Sequence, residues 1–172
     1  MRFQGRVYRA HNPRWSFAST SGDGAARFGG RFNPIGVPAL YTSLRMETAW
    51  LEAQQGFAFK PQPLTVCAYE VDCEAMLDLT DPAVRHEHGV ADADLACPWE
   101  DLADRGEVPP SWRLAQRLIA EGAAGVAAPC FAPGATNLDR NLVFWRWSAD
   151  LPCRVCLIDD EKRLPANDLS WR

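Results

Sequence analysis

Residues 24–36 combine residue types that could bind a phosphate-containing ligand. They read GAARFGGRFNPIG, in which two adjacent glycines precede Arg31. Adjacent glycines let the backbone approach a ligand closely, and a guanidinium can hold phosphate oxygens with two parallel hydrogen bonds. The stretch has neither the GK[ST] ending of a Walker loop nor the GxGxxG spacing of a dinucleotide fold. Taken alone, it is explained more simply by a glycine turn beside a surface arginine.

A tyrosine and a glutamate follow on the next two predicted elements. Residues 39–43, ALYTS, have the aromatic and β-branched content of a strand and place Tyr41 near its end. Residues 46–55, METAWLEAQQ, predict a helix that Gly56 terminates. The spacing i, i+3, i+4, i+7 gives this helix an apolar face made of Met46, Ala49, Trp50 and Ala53. Glu52 borders that face and is a candidate for an inward-facing carboxylate, although such a group is more often solvated.

The cysteines and histidines predict no metal site. Cys153 and Cys156 form a CxxC, but a structural zinc site needs four ligands and the sequence has no second pair. Both lie in a predicted strand, where residues three apart point to opposite faces, which favours two small apolar side chains. His86 and His88 lack a third ligand nearby. All six cysteines are interpreted as reduced thiols, because a chain of this length and aliphatic content needs no disulfide scaffold.

Length and composition indicate one globular domain over residues 1–172. A net charge of −4 and a pI near 5.4 argue against a strongly basic, nucleic-acid-binding protein. The N-terminal segment has no apolar stretch of signal-peptide length. The long uncharged stretch at 122–138 is broken by glycine and proline and cannot form a spanning helix. We therefore expect a soluble, cytoplasmic protein that binds neither membrane nor nucleic acid directly.

The order of predicted elements indicates an α+β fold. A loop is expected over 11–25, and one or two short helices are expected between 73 and 110. The residues 111–122 predict an amphipathic helix with Ser111 as its N-cap and Gly122 at its C-terminus. Because strands and short helices do not alternate regularly, the sheet should be mixed and mostly antiparallel. Its predicted strands are 6–10, 31–33, 39–43, 64–71, 126–131, 141–147 and 154–159.

These stretches, taken in this order, resemble the RES domain family. The similarity runs through YRA at 8–10, the glycine-rich stretch at 24–36, a strand ending in YTS, and a helix whose Glu52 follows Tyr41 by eleven residues. It continues through 111–147 and so covers most of the chain. The resemblance implies a fold similar to that of bacterial ADP-ribosylating toxins.

The resemblance also implies an enzyme that consumes NAD⁺, either by phosphorolysis or by transfer of ADP-ribose to a protein. Arg31, Tyr41 and Glu52 fall on the family's active-site positions, and Arg9 falls on a further arginine of its NAD⁺ pocket. Where relatives carry a serine after a proline, this chain carries Cys130. By the same resemblance, Cys130 is expected in the NAD⁺ site.

The residue types suit cleavage of the bond between nicotinamide and ribose. The reaction passes through an oxocarbenium-like ribose, which Glu52 would stabilise while accepting a hydrogen bond from a ribose hydroxyl. Tyr41 can stack on nicotinamide, and Arg9 and Arg31 can hold the pyrophosphate. Because the leaving group is already a cationic pyridinium, neither a metal nor a general acid is required. The acceptor of ADP-ribose is left open among water, phosphate and a protein side chain.

The resemblance further implies a partner, since many RES proteins are toxins held inactive by a cognate antitoxin that occludes the cleft. Seven tryptophans in 172 residues add weak support. Trp15, Trp112 and Trp171 lie in or next to predicted loops, and exposed tryptophan is enriched at binding hot spots. The acidic pI predicts an antitoxin that brings positive charge or an inserted segment towards Glu52.

Two other interpretations stay open at this point. A thiol-dependent hydrolase using Cys130 would need a nearby base, and the sequence does not place His11, His86 or His88 beside it. A binding module could have kept the fold and lost catalysis. The serine-to-cysteine change allows either the thiol or another hydroxyl, such as that of Ser111, to take the serine's role.

Overall fold

A computed structural model of the chain describes residues 1–54 and 62–171, and a seven-stranded sheet forms its centre. The strands are β1 (Phe3–His11), β2 (Leu40–Ser43), β3 (Thr65–Cys73), β4 (Met76–Asp78), β5 (Gly125–Pro129), β6 (Arg140–Phe144) and β7 (Cys153–Leu157). They lie in the order β4-β5-β6-β2-β1-β3-β7. Only the β4–β5 pair is parallel among the pairings of the described strands. The predicted α+β class with a mixed, mostly antiparallel sheet is therefore confirmed.

Short helices connect the strands. They are α1 (Asp23–Phe28), α2 (Met46–Gln54), α3 (Pro82–Glu87), α4 (Asp92–Leu95), α5 (Trp99–Asp104) and α6 (Pro110–Ala120), with 3-10 turns at Pro13–Ala18 and Leu169–Trp171. The helix α2 packs against β1, β2, β3 and β6, near the middle of the sheet. Because α2 directly follows β2, the chain places the end of one central strand beside the helix that carries Glu52.

An apolar core lies on each face of the sheet, and alternate side chains of β6 enter different cores. In β6, Leu142 and Phe144 belong to one core, whereas Val143 between them belongs to the other. This is the period of two that a strand imposes on its side chains. The second core also receives Leu114 and Leu118 from α6, whose apolar residues recur at helical spacing.

Several sequence-based predictions need correction. The segment 31–33 is not a strand but part of a turn, because Gly30 pairs with Asn33 across it. The segment 11–25 is not a continuous loop but holds the first 3-10 turn and the start of α1. Three short helices, α3 to α5, and the strand β4 occupy the region from 73 to 110, where only one or two helices were expected.

The helix α6 ends as predicted but begins differently. Gly122 has φ +94°, the left-handed conformation that favours glycine after a helix. Ser111 is not the N-cap, because Pro109 occupies that position and Ser111 is fully buried, with its Oγ 3.3 Å from the Cys97 Sγ. The predicted strands around β1, β2, β3, β5, β6 and β7 are confirmed. Gln55 and Gly56, the predicted end of α2, lie outside the described residues.

Candidate active site

The glycine-rich stretch forms a tight turn against the side chain of Tyr41. Gly29 has φ +75°, which favours glycine. A Cβ at Gly30 would lie 2.5 Å from the Tyr41 Oη and 2.8 Å from the Asn33 Oδ1, far inside normal contact distance. The two glycines thus serve the turn and the approach of Tyr41, and this is the structural reason for their place in the sequence.

Asn33 connects this turn to β2. The Tyr41 hydroxyl donates to the Asn33 Oδ1 at 2.7 Å and accepts from the Phe32 backbone N at 2.9 Å. Asn33 is fully buried, and its Nδ2 donates to the carbonyls of Ala25 and Val37, each at 2.8 Å. Burial raises the pKa of Tyr41 far above its usual value. The Tyr41 hydroxyl therefore stays protonated and occupied by protein partners.

Two tryptophans hold the same turn from the other side. The Trp112 Nε1 donates to the Gly30 carbonyl and the Trp145 Nε1 donates to the Phe32 carbonyl, both at 2.7 Å. Both side chains are largely buried. The interpretation of Trp112 as an exposed contact residue is therefore wrong, because its indole is needed inside. Trp15 and Trp171 are about half exposed.

Arg31 projects from the turn towards α4. Its Nη1 donates to the carbonyl oxygens of Leu95 at 3.0 Å and Cys97 at 2.7 Å, and its guanidinium lies 4.5 Å from the ring centre of Phe131. Burial lowers the pKa of Arg31, while the nearby Cys97, Glu52 and Tyr41 groups partly oppose that shift. The charges of Arg31 and Glu52 therefore interact. The Nη1 group of Arg31, however, is already bound to the carbonyls at the end of α4.

The helix that carries Glu52 is fixed to the loop before β6. The Thr48 Oγ1 donates to the Asp139 Oδ1 at 2.6 Å, and both residues are buried. Asp139 also accepts from the Thr136 backbone N and Oγ1 through its Oδ2, each at 2.8 Å. Hydrogen bonds from Thr48 and Thr136 lower the pKa of Asp139 to about 2. A carboxylate that is ionised at neutral pH therefore clamps α2 one turn before Glu52.

The Glu52 carboxylate sits in a hydrogen-bonded chain that spans three elements. Its Oε1 accepts a bond from the Cys130 Sγ at 2.9 Å and a short one from the Asn141 Nδ2. The Ser43 Oγ lies 2.7 Å from the Asn141 Oδ1 and donates to it. That bond fixes which end of the Asn141 amide faces Glu52. The Cys130 thiol and the Glu52 carboxylate are therefore in direct contact.

Sequence reasoning missed Asn141 and Ser43. Ser43 ends β2 and Asn141 lies in β6, and the two residues are directly paired across the antiparallel ladder. They are separated by 98 positions in the chain. The available signal was that a polar residue starts the predicted strand 141–147 and another ends the strand 39–43. The pairing of these two strands was not readable from the sequence.

Cys130 is a buried, protonated thiol. Burial and the hydrogen bond to Glu52 raise its pKa to about 12. A thiolate is the nucleophilic form of cysteine, and at neutral pH very little of it can form at this position. The geometry makes Cys130 a donor to Glu52.

A cleft of about 290 Å³ opens beside this chain of hydrogen bonds. Its volume lies at the lower end of the range typical of small-molecule sites. Of the residues expected to share one cleft, Tyr41 and Glu52 line it, whereas Arg31 and Cys130 are not among the described residues that line it. The described lining residues are Tyr8, Arg9, Ala10, His11, Tyr41, Thr42, Ser43, Ala49, Glu52, Ala53 and Asn141.

Arg9 also lines the cleft. Its Nη1 donates to the carbonyl oxygens of Ser19 at 3.0 Å and Ser21 at 2.9 Å. Burial lowers the pKa of Arg9, although a guanidinium remains charged at any physiological pH. Within residues 1–54 and 62–171, the hydrogen bonds of the Arg9 guanidinium come from its Nη1, and a guanidinium has five N–H donors in all.

Comparison with known proteins assigns the family. The model of the RES domain matches residues 6–167, and the chain belongs to the RES domain family. Among solved structures, a chain of the M. tuberculosis MbcT–MbcA toxin–antitoxin complex superimposes with a TM-score of 0.63 at 22% identity. That match covers 92% of this chain and 84% of the other, and shows a shared fold. No curated protein matches the chain significantly.

Within 1–54 and 62–171, no group of three or more His, Cys, Asp or Glu side chains is arranged to hold a metal ion. Over the same residues, no helix has the length and apolar character needed to cross a membrane.

Proposed function

We propose that this chain is the toxin of a toxin–antitoxin pair and that it cleaves the nicotinamide–ribose bond of NAD⁺, passing ADP-ribose to an acceptor. The observation that carries the proposal is the convergence of Tyr41, Glu52 and Arg9 on one cleft. Membership of the RES family and the likeness to a chain of a toxin–antitoxin complex support it.

Glu52 supplies the negative charge in this scheme. As the bond between the ribose anomeric carbon and the nicotinamide nitrogen breaks, its electron pair leaves with neutral nicotinamide, and positive charge develops on the ribose. A carboxylate held beside that carbon stabilises the charge more in the transition state than in the ground state. The bonds from Cys130 and Asn141 to the Oε1 hold the carboxylate in place before substrate arrives.

The other residues position the dinucleotide. The Tyr41 hydroxyl is occupied by Asn33 and Phe32, so Tyr41 acts through its ring, which stacks on nicotinamide. The remaining Arg9 donors hold the pyrophosphate. Arg31 contributes mainly by fixing the turn and α4 next to the cleft. The acceptor then attacks the anomeric carbon and loses its proton to solvent when it is water, phosphate or a protein hydroxyl.

The thiol-hydrolase alternative is disfavoured by the state of Cys130. His11 lines the same cleft as Glu52, but its pKa is lowered to about 4, which makes it a poor proton acceptor. The Cys130 thiol donates a hydrogen bond to the Glu52 carboxylate, and this bond raises the pKa of the thiol. The Cys130 thiol and the His11 imidazole are therefore not set up to form the thiolate–imidazolium pair that such a hydrolase needs.

The test is incubation of the purified protein with NAD⁺, with and without inorganic phosphate and cell lysate. Free ADP-ribose, ADP-ribose 1″-phosphate and labelled protein are distinguishable products and identify the acceptor. We expect release of nicotinamide in at least one condition. Intact NAD⁺ in all of them would contradict the proposed chemistry.

The toxin role needs a separate test in cells. Expression alone should slow growth and lower cellular NAD⁺ or label a protein, and co-expression with a cognate antitoxin should relieve this toxicity. A normally accumulating active chain that leaves growth unchanged and purifies without a small partner would contradict the toxin role, even if the NAD⁺ chemistry holds.

A further inference from the structure

The cleft contains a histidine whose ring nitrogens have no partner in the protein. His11 is the last residue of β1 and lines the cleft together with Glu52. Neither its Nδ1 nor its Nε2 has a hydrogen-bond partner among the residues that the structure describes, and both atoms are shielded from solvent. Buried polar groups are nearly always paired. A histidine with both nitrogens unpaired beside a ligand cleft therefore calls for an explanation.

The imidazole of His11 is neutral at physiological pH. Burial, and next the positive charge of Arg9, lower its pKa to about 4. A neutral imidazole carries one N–H donor and one acceptor nitrogen. The two unpaired nitrogens thus provide one hydrogen-bond donor and one acceptor, and the ring carries no net charge.

A ring rotation would exchange the positions of these nitrogens with those of two ring carbons. The residue is partly exposed whereas its nitrogens are not, so the accessible part of the residue consists of carbon and backbone atoms. A half-turn about the Cβ–Cγ bond exchanges Nδ1 with Cδ2 and Nε2 with Cε1 and leaves the ring outline almost unchanged. The rotated ring places the nitrogens at the former Cδ2 and Cε1 positions without repacking the end of β1.

We infer that His11 is a substrate-binding residue that hydrogen-bonds the carboxamide of the nicotinamide ring. The inference rests on the proposed function. A carboxamide offers both a carbonyl acceptor and an NH₂ donor, so it can pair with whichever nitrogen the ring presents. Glu52 and His11 line the same cleft of about 290 Å³, so we expect a nicotinamide riboside that contacts Glu52 to reach His11 as well.

Because the His11 imidazole is neutral, it is better suited to contact the nicotinamide end of NAD⁺ than the phosphates. The ring of NAD⁺ is a cationic pyridinium, and a neutral imidazole binds its carboxamide without adding like-charge repulsion. Arg9, two residues earlier on the same strand, is the group in the cleft suited to phosphate oxygens. On β1, Arg9 would thus bind the phosphates and His11 would bind the nicotinamide carboxamide.

The experiment compares His11→Phe with the control His86→Phe, which alters an exposed histidine outside the cleft. Phenylalanine keeps an aromatic ring but removes both unpaired nitrogens. We expect the His11 variant to be at least as stable as the parent, with KM for NAD⁺ raised about tenfold, as for one lost hydrogen bond, and kcat changed less than about threefold. The His86 variant should keep the parental KM.

A parental KM in His11→Phe would overturn the assignment. If that variant did not fold, His11→Leu would be measured in its place with the same expectation. As a second readout, the imidazole nitrogen resonances of His11 should shift on addition of NAD⁺ but not of ADP-ribose, which lacks nicotinamide. Equal shifts with both ligands would also overturn it. A parent enzyme that leaves NAD⁺ intact would instead overturn the proposed function, and the His11 assignment with it.

Discussion

The Cys130 Sγ donates a hydrogen bond to the Glu52 Oε1 at 2.9 Å. The two residues are 78 positions apart in the chain. A serine in this place, which the resemblance to the RES family implies for relatives, would also offer a hydroxyl donor to the same carboxylate. The bond therefore gives position 130 a role that either a thiol or a hydroxyl can fill, namely orienting Glu52.

Cys130→Ser should keep or raise NAD⁺ turnover. A hydroxyl is a stronger donor than a thiol, so the contact to Glu52 should be preserved or shortened. The measurement is steady-state release of nicotinamide. The matched control is Cys130→Ala, which removes the hydrogen-bond donor to Glu52. Loss of activity in the serine variant, or alkylation of Cys130 that NAD⁺ prevents and that abolishes turnover, would favour thiol chemistry.

Glu52→Gln should abolish turnover while leaving the fold intact. Glutamine preserves the shape but removes the charge that stabilises the ribose cation, a loss of about 3 kcal/mol or more in the barrier, or roughly 10²–10³-fold in kcat. Glu47→Gln is the control, because Glu47 lies on the same helix and is exposed. Parental turnover in Glu52→Gln would remove Glu52 from the mechanism.

Gly30→Ala should destabilise the protein by about 1–3 kcal/mol, the usual cost of forcing extra volume into a packed site. The added Cβ would lie 2.5 Å from the Tyr41 Oη, which must then leave its bonds to Asn33 and Phe32. Gly24→Ala is the matched control, since nothing lies within 4 Å of a Cβ at that position. Urea unfolding would measure both. Equal stability of the two variants would show that the turn relaxes freely.

Thr48→Val should loosen α2 and weaken the acid dependence of stability. The folded pKa of Asp139, about 2, lies below its usual value. Asp139 therefore contributes stability that is fully present above its unfolded pKa near 4 and is lost as pH falls towards 2. Removing the Thr48 donor should lower the free energy of unfolding by about 1 kcal/mol at neutral pH. The loss of stability between about pH 4 and pH 2 should then be smaller in the variant than in the parent. Identical pH profiles for parent and variant would contradict the clamp.

The sequence by itself determined the class of the fold and most of its elements. The apolar alternation of β3 and β6 and the helical spacing in α6 are local patterns, and local patterns fix the type of element they form. The motif order was likewise enough to predict the family, and Tyr41, Glu52 and Arg9 as candidate site residues. The conformation of Gly122 could be predicted because a helix end imposes it locally.

Only the tertiary structure decided which groups meet Glu52 and what each candidate contacts. The pairing of Ser43 with Asn141 depends on β2 lying next to β6, a register that no local pattern encodes. Arg31 was expected on a strand facing the ligand, but the Gly30–Asn33 turn directs it to the carbonyls of Leu95 and Cys97. Ser111 was expected to cap α6, yet helix packing buried it. In each case long-range contacts, which sequence periodicity cannot specify, outweighed the local preference.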